Sequence, residues 1–493
     1  MATQAELKNS SDFKSKAWLS QKSAWALVMD LWQSPLYIRE KGQDYLEKFK
    51  NEKPEKYQER LIRSVPQNKF RESIETMAGM AFKDDPAPQG APEPLASLFT
   101  DIDACGNSLH SFALTSFEKY LRDGGGAIWV SATPLNEIAK EKVDGGQALT
   151  AADRYGDRPI WNFVEAAQII NYRFDKVNGI DQLAQVTVET IETEPDGEFG
   201  ETDVKRHYVL TVGNVRVEKL VGKDYVNESD KGGPTGLSVI PLIPLAPFGT
   251  PPPLLNLAMM DVQYYNKESD FDDWCHNACV PERIYNFDSK EDAAEFNKQI
   301  KNSASISRGM WGQFAKAYFN EVSGSGLEVV ERRLESLAAR MAAIGVGMLA
   351  PSDVAPKSAT EVLDTSGQRQ SKLARYAREF ENAVEKAFYI TAEILNIISG
   401  VGTIDLSTVE DVSLKLKMDF DRLTYTPERM AFFERLLDSG NISRMTFFEI
   451  LAKSQEMPPN WTPEEEEKRL NADNELITDA DINNPNPDDA GTN

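Results

Sequence analysis

Cysteine and histidine are rare in this chain of 493 residues, which has three of each. Cys275, His276 and Cys279 nevertheless stand together in the stretch DDWCHNACVP. Thiol and imidazole groups at such close spacing are found in metal and redox sites. On a helix, however, the two cysteines lie one turn apart on one face, and His276 points about 100° away from them. A structural zinc ion takes four ligands, and the remaining cysteine, Cys105, stands far upstream. We therefore predict no metal here and interpret the thiols as packing residues near a helix end.

The common motifs of catalytic and nucleotide-binding sites are absent from the sequence. It has no Walker-type phosphate loop, no dinucleotide-binding glycine pattern after a strand, no nucleophile elbow and no His-Glu-x-x-His zinc motif. Three glycines at 124–126 precede a predicted strand rather than a helix, so we interpret them as a turn and not as a phosphate cradle. Acidic residues are abundant, but no spacing singles out a carboxylate metal site.

The charge balance argues against a protein that wraps nucleic acid. Aspartate and glutamate number 78, lysine and arginine 54, and the formal net charge is −24. Tight binding of nucleic acid depends on cations that neutralise phosphates and release counterions. Three cysteines cannot build a disulfide framework, so we expect a reducing compartment. The first residues lack the apolar core of a signal peptide, and no apolar run is long enough for a membrane span.

Apolar periodicity predicts an α+β fold that is mainly helical. Helical patterns fill residues 13–82, with a break at Pro66, and a further helix over 107–123 ends at the three glycines. Strand-like alternation dominates 159–221 and returns at 412–420. Short helices follow at 426–440, 444–454 and 462–476. The acidic, Asn/Pro-rich tail over 479–493 is typical of disorder.

Three long helices are the strongest feature of the second half. The first, 254–279, repeats Leu257, Tyr264 and Phe271 every seven residues, and the third, 358–398, would extend about 60 Å. The second helix, over 327–348, alternates three- and four-residue steps between apolar side chains, which predicts a seam against another helix. These seam residues are Leu327, Val330, Leu334, Leu337, Met341 and Ile344.

The order of these elements resembles the portal proteins of tailed bacteriophages. Stretches such as IETMAGMAFKDDP, RPIWNFVEAAQIINYR and PLIPLAPFGTPPPLLNLAMMDVQYYNKESDF are similar to one portal-like group long filed as a domain of unknown function. The resemblance divides the chain into wing (1–253), stem helix (254–279), clip (280–326), second stem helix (327–348), tunnel loop (349–357), long wing helix with a strand (358–425), C-terminal helical crown (426–478) and acidic tail (479–493).

The resemblance also implies a function. Portal proteins are not enzymes and need no cofactor; they form rings of about twelve subunits at one capsid vertex. The ring is the DNA channel for genome packaging, head–tail joining and DNA ejection. Implied partners are terminase, a head–tail adaptor, the major capsid or scaffolding protein, and double-stranded DNA that passes without sequence specificity. The protein would reside in the virion, and in the host cytoplasm during assembly. An acidic channel wall would repel phosphates, although salt screens that repulsion beyond about 8–10 Å.

Candidate contact residues follow from position in this scheme. In the tunnel loop, Ser352, Asp353 and Lys357 would face DNA, although Lys357 is equally explained by an ion pair with Asp353 or Glu361.

In the clip, Arg283, Arg308 and Trp311 are candidates for contacts with neighbouring subunits, terminase or adaptor, and a solvated face explains each arginine as well. Trp311, Phe314, Tyr318 and Phe319 would stack on bases or, as we favour, form a small core or a subunit contact.

Two other functional classes remain open from the sequence. One is a soluble helical cytosolic enzyme with a carboxylate-based metal site, and the other is a different head–tail structural component of a virion.

Overall fold

A computed structural model describes most of the chain up to residue 416. The described ranges are 10–83, 90–132, 158–228, 231–278, 282–286, 289–292, 316–320, 325–344, 359–399, 404–410 and 412–416, with isolated positions elsewhere. Residues 1–418 and 419–493 form two compact units. The predicted crown and acidic tail lie in the second unit, where only scattered positions are described.

Short helices build the N-terminal part of the first unit, as the apolar periodicity predicts. The break expected at Pro66 is confirmed, because helix α3 ends at Arg63 and α4 begins at Lys69. Side-chain oxygens of Ser15, Ser34 and Asn68 cap the helices that follow them. The helices are α1 (Lys16–Gln33), α2 (Pro35–Lys41), α3 (Pro54–Arg63), α4 (Lys69–Ala81), α5 (Glu93–Ala96) and α6 (Leu109–Asp123).

The three glycines after α6 form a tight turn, as predicted. Gly124 ends the helix in the left-handed region, with φ of 73°, and its N–H donates to the carbonyl of Tyr120. A Cβ atom at this position would lie 2.2 Å from the carbonyl oxygen of Pro251. The turn leads into a three-stranded antiparallel sheet in the order β2–β1–β9, formed by β1 (Ala127–Ala132), β2 (Pro159–Val164) and β9 (Leu242–Pro244).

A second, larger sheet is an antiparallel meander in the order β3–β4–β5–β6–β7, with the short β8 paired to β6. Its alternating apolar residues pack with the first sheet in one core that includes Trp129, Val188 and Leu210. The strands are β3 (Ile169–Val177), β4 (Ile180–Asp196), β5 (Gly200–Thr211), β6 (Asn214–Val221), β7 (Asp224–Asn227) and β8 (Gly233–Pro234).

The long helices occur in the predicted order. Helix α7 (Leu255–Ala278) leads to a two-stranded antiparallel pair, β10 (Glu282–Asn286) with β11 (Lys316–Asn320), and α8 (Ser325–Ile344) returns and packs on α7. Helix α9 (Ala359–Ser399) is the longest described element. Its second half is buried against the first sheet and α6, where Phe388 contacts Trp161 of β2 and Phe380 contacts Phe117 of α6.

The strand predicted over 412–420 is wrong for its described part, 412–416, which belongs to no strand. The alternation of burial is present, because Val412, Leu414 and Leu416 are buried and Lys415 is exposed. The segment follows a short helix, α10 (Leu406–Val409), and lies on α9, where the N–H of Leu416 donates to the Glu381 carboxylate. A side chain on α9 therefore takes the role of a strand partner. Among the described residues, no helix is both long and apolar enough to cross a membrane.

Candidate functional site

Helix α7 joins the body of the unit to the predicted clip, and the face that it buries includes two polar residues, Asp261 and Ser269, beside Leu257, Ala258 and Tyr265. Asp261 is 4% exposed, and its carboxylate accepts a hydrogen bond of 3.0 Å from the N–H of Phe70 in the first turn of α4. A carboxylate at a helix N-terminus is stabilised by the partial positive charge there. Burial raises the pKa of Asp261, and the N–H groups of Phe70 and Lys69 offset only part of that effect.

Further along α7, Arg60 of α3 connects the helix to the body. The Arg60 side chain is 2% exposed and pairs with Glu52, at 2.9 Å from Nε to Oε1 and 3.0 Å from Nη2 to Oε2. It also donates to the carbonyl of Glu47 at 2.6 Å and to the hydroxyl of Ser269 at 3.1 Å. Phe49 covers the guanidinium, with its ring centroid 4.1 Å from Cζ. The hydrogen bond to Ser269 fixes α7 to α3.

This polar interface was not visible in the sequence. The predicted apolar stripe is the less buried one, because Tyr264 and Phe271 are only half-buried, although Leu257 is fully buried. The fully buried stripe passes through Asp261 and Ser269 instead, and residues of these two types are mostly exposed in folded proteins.

The seam predicted on the second stem helix is buried only in the middle. Leu337 is 7% exposed and Met341 3%, whereas Leu327, Val330 and Leu334 are half-buried, and Ile344 is 39% exposed. Val329, outside the seam, is 66% exposed. Most other described side chains of α8 are exposed, so a single copy of the chain covers one narrow side of this helix.

Helix α7 is rich in acidic residues. Five carboxylates and one lysine lie between residues 261 and 273; Asp261 is buried, Asp272 is exposed, and the other three carboxylates are partly exposed. Burial and the neighbouring charge of Asp272 raise the pKa of Glu268, which is the effect expected where like charges crowd. Asp273 pairs with Arg63 at 2.8 Å and Asp270 with Lys267 at 3.2 Å, both at exposed positions where such pairs stabilise little.

Several predicted contact residues lie outside the described part of the chain. These are Ser352, Asp353 and Lys357 of the tunnel loop, and Arg308 and Trp311 of the clip. Arg283 lies on β10, where its backbone is opposite that of Phe319 on β11. The contact roles of all six residues stay predictions.

The structure describes part of the segment that contains Cys275, His276 and Cys279. Cys275 is half-buried and His276 is exposed, whereas Cys279 lies outside the described residues. Cys105 is exposed in the loop before α6. The interpretation of Cys275 and Cys279 as packing residues stays a prediction.

One cluster with metal-ligand chemistry was missed from the sequence. Ligand atoms of Asp12, Glu189 and His207 lie within 4.8 Å of one another, although their positions in the chain are far apart. Lysines already occupy the carboxylate, because Lys14 Nζ and Lys205 Nζ each lie 2.7 Å from Glu189 Oε2.

Both ring nitrogens of His207 in this cluster lie within hydrogen-bonding distance of protein side chains. His207 Nδ1 lies 2.9 Å from the hydroxyl of Ser11, and Nε2 lies 3.2 Å from Glu189. Tyr225 stacks on the ring at 4.0 Å between centroids. Burial raises the pKa of Glu189, but hydrogen bonds from His207, Lys14 and Lys205 outweigh it and hold that pKa well below its usual range. The arrangement is an ion-pair cluster that fastens the N-terminal segment to the larger sheet.

Comparison with known proteins gives one family match. A family described as a domain of unknown function, DUF4055, matches residues 253–395. That range begins just before α7 and ends within α9, so it contains the paired helices, the predicted clip and the predicted tunnel loop. No curated protein matches the chain.

One chain from each of two solved structures of gene transfer agent particles is similar to this chain over most of its length. A chain described as the neck of an empty GTA particle, computed with C6 symmetry, has 13% identity and a TM-score of 0.40, over 80% of this chain and 91% of that one. A chain of the virion of a native gene transfer agent particle has 12% identity and a TM-score of 0.36, over 79% and 89%. Both TM-scores are too low for the likeness to carry a conclusion about this chain.

Proposed function

We propose that this chain is the subunit of a portal-type ring, which forms the DNA channel at one capsid vertex of a phage-like particle. The observation that carries the proposal is the order of elements after the sheets. A 24-residue helix leads outward to a small β module, a 20-residue helix returns along it, and a 41-residue helix packs back on the body. At the usual rise the first two helices extend about 36 and 30 Å.

The exposed surface of the helix pair supports assembly through this region. Only the centre of the seam on α8 is buried in one chain. The seam residues before it are half-buried, and Ile344 after it is exposed. Apolar surface of this kind is stabilised when another subunit covers it. In a closed ring each copy would supply one helix pair to the channel wall.

Charge supports the channel role. The exposed and partly exposed carboxylates of α7 would repel phosphates, and the chain as a whole carries a net charge of −24. DNA in such a channel would slide rather than bind, because the cations needed for counterion release are scarce. In this proposal the protein has no catalytic activity of its own. Terminase and a head–tail adaptor would be its partners.

A different structural component of the head–tail junction is the nearest alternative. An enzyme with a carboxylate-based metal site is the other alternative, and the cluster around Glu189 is its best candidate among the described residues. The two lysines at 2.7 Å from Glu189 oppose it, because a divalent cation would have to displace both.

The mass of the native particle separates these alternatives. Native mass spectrometry and negative-stain images of the purified protein should show rings of about twelve 55.1 kDa chains with a central hole. A small oligomer that retains a stoichiometric divalent metal after dialysis would support the enzyme instead. Filaments would point to another structural component.

A further inference from the structure

A two-stranded arm projects from the larger sheet. The last pair of β5 with β6 is Arg206 with Lys219. Beyond it, β4 and β5 continue alone from the pair Ile191–Lys205 to the pair Asp196–Gly200. We call residues 191–205 the arm. It contains six acidic residues and one basic residue, Lys205.

Ion pairs hold one face of the arm in place. Arg206, with 1% of its side chain exposed, binds the carboxylates of Glu192, Glu194 and Glu228. Lys219 adds a contact to Glu194 at 3.1 Å. An isolated two-stranded ribbon is marginally stable in water, so this network is what keeps the arm extended.

The tip and opposite face of the arm carry exposed apolar side chains. Phe199 is 92% exposed and Ile191 is 68% exposed. An aromatic side chain that is almost wholly exposed at the end of a stiffened arm suits a contact with another surface, because aromatic anchors supply much of the energy of interfaces.

A segment with an excess of basic residues lies beside the end of α7. Residues 48–63 contain six basic and three acidic residues in a chain that is otherwise strongly acidic. A groove of about 470 Å³ opens here, and its walls contain Phe49, three basic residues and three acidic ones: Lys50, Lys56, Arg63, Glu52, Glu59 and Asp273. Phe49 is 44% exposed. Ligand pockets commonly have volumes in this range.

We propose that the arm of one copy docks into this groove of a neighbouring copy, with Phe199 in the groove and the acidic arm beside its lysines. The proposal rests on the ring of the proposed function and names one contact that closes it. Arm and groove are different surfaces of the same chain, so their contact is head-to-tail, which is the kind that generates rings. In an acidic protein, attraction between copies needs such a local reversal of charge.

Two basic residues of the groove already form ion pairs within the chain, and the acidic arm would have to compete with those carboxylates. Lys56 lies 2.8 Å from Glu59, and Arg63 lies 2.8 Å from Asp273. The side chains of the first pair are more than half exposed, so its contribution is small, and its lysine can turn to the acidic arm at little cost.

Charge reversal on both surfaces tests the contact. In the full-length chain, Glu198→Lys with Glu201→Lys should weaken assembly at least tenfold, measured as the concentration at which rings dissociate in sedimentation velocity. Lys50→Glu with Lys56→Glu should do the same. Combining the four changes should restore assembly, since the attraction is then reversed in sign but intact.

A cross-link provides a second measurement that does not depend on affinity. Phe199→Cys with Asn51→Cys, in a chain whose three native cysteines are changed to serine, should form disulfides between subunits under mild oxidation. Ile180→Cys with Asn51→Cys is the matched control, because Ile180 is 72% exposed at the other end of β4. It should not cross-link.

The outcomes separate this contact from the ring itself. Rings that form normally in both charge variants and do not cross-link overturn the docking and leave the proposed function standing. A wild-type chain that stays monomeric at all concentrations overturns both. Loss of assembly in each charge variant, its recovery in the combination and a selective disulfide establish the contact, provided that circular dichroism shows each variant folded.

Discussion

Removal of the Arg60 side chain should loosen the attachment of α7 to the body. Arg60 and Glu52 are a buried pair, with side chains 2% and 7% exposed. Arg60→Met keeps the apolar stem that lies under Phe49 but leaves the Glu52 carboxylate without its cation. Breaking a buried pair in this way costs about 3–5 kcal/mol. Ser269 on α7 loses its guanidinium donor as well.

Hydrogen–deuterium exchange measures this change locally. If α3 and α7 open together, a fall of about 3–5 kcal/mol in their opening free energy lowers the protection of their amides by roughly two to four decades. Arg63→Met is the matched control on the same helix. Its partner Asp273 is about a quarter exposed, so this ion pair stabilises little. We expect the opening free energy to fall by less than about 1 kcal/mol.

The double change Arg60→Met with Glu52→Gln should recover part of the protection, since no buried charge remains. Burial raises the pKa of Glu52, but the hydrogen bonds from Arg60 and from the N–H of Phe49 outweigh it and hold that pKa low. The carboxylate is therefore charged at neutral pH in the native protein. Equal protection in Arg60→Met and Arg63→Met would refute this reasoning.

Three further predictions concern other parts of the first unit. Gly124→Ala should lower the thermal midpoint, because alanine is strained at positive φ by about 1–2 kcal/mol and its Cβ would meet the Pro251 carbonyl. Gly79→Ala should raise the midpoint, because Gly79 lies inside a helix with open space around it. Equal shifts in the two variants would contradict this. Met341→Ala should reduce amide protection in α8 by about 2–5 kcal/mol, because Met341 is buried. Val329→Ala should reduce it by less than about 0.5 kcal/mol, because Val329 is exposed. A similar loss in both variants would show that the seam is not packed. Hydrogen bonds from Arg206 and Lys219 lower the pKa of Glu194 from 4.5 to about 2. Its stabilisation is therefore complete above pH 4.5 and lost as the pH falls to about 2, and the difference in thermal midpoint between wild type and Glu194→Gln should shrink across that window.

The long helices were predictable because their apolar periodicity is strong and continues over many turns. The predicted helices at 254–279, 327–348 and 358–398 correspond to described helices at Leu255–Ala278, Ser325–Ile344 and Ala359–Ser399. Their roles as stem and wing are not readable from periodicity, and they depend on the resemblance to portal proteins.

The polar contacts of α7 were not predictable. A buried aspartate and a solvated one look alike in a sequence, and the difference at Asp261 is made by the N–H of Phe70, almost two hundred residues away in the chain. The ion-pair cluster at His207 is hidden for the same reason. At Leu416 the alternation correctly indicated one buried face, but it carries no information about whether another strand or a helix side chain receives the backbone hydrogen bonds.

An electron cryomicroscopy map of the purified assembly tests the central claim most directly. The account predicts a closed ring in which α7 and α8 of every subunit surround a central hole wide enough for duplex DNA, with the exposed Asp272 of α7 toward it. A ring that buries these helices away from the hole, or an assembly without a hole, would contradict the proposed function.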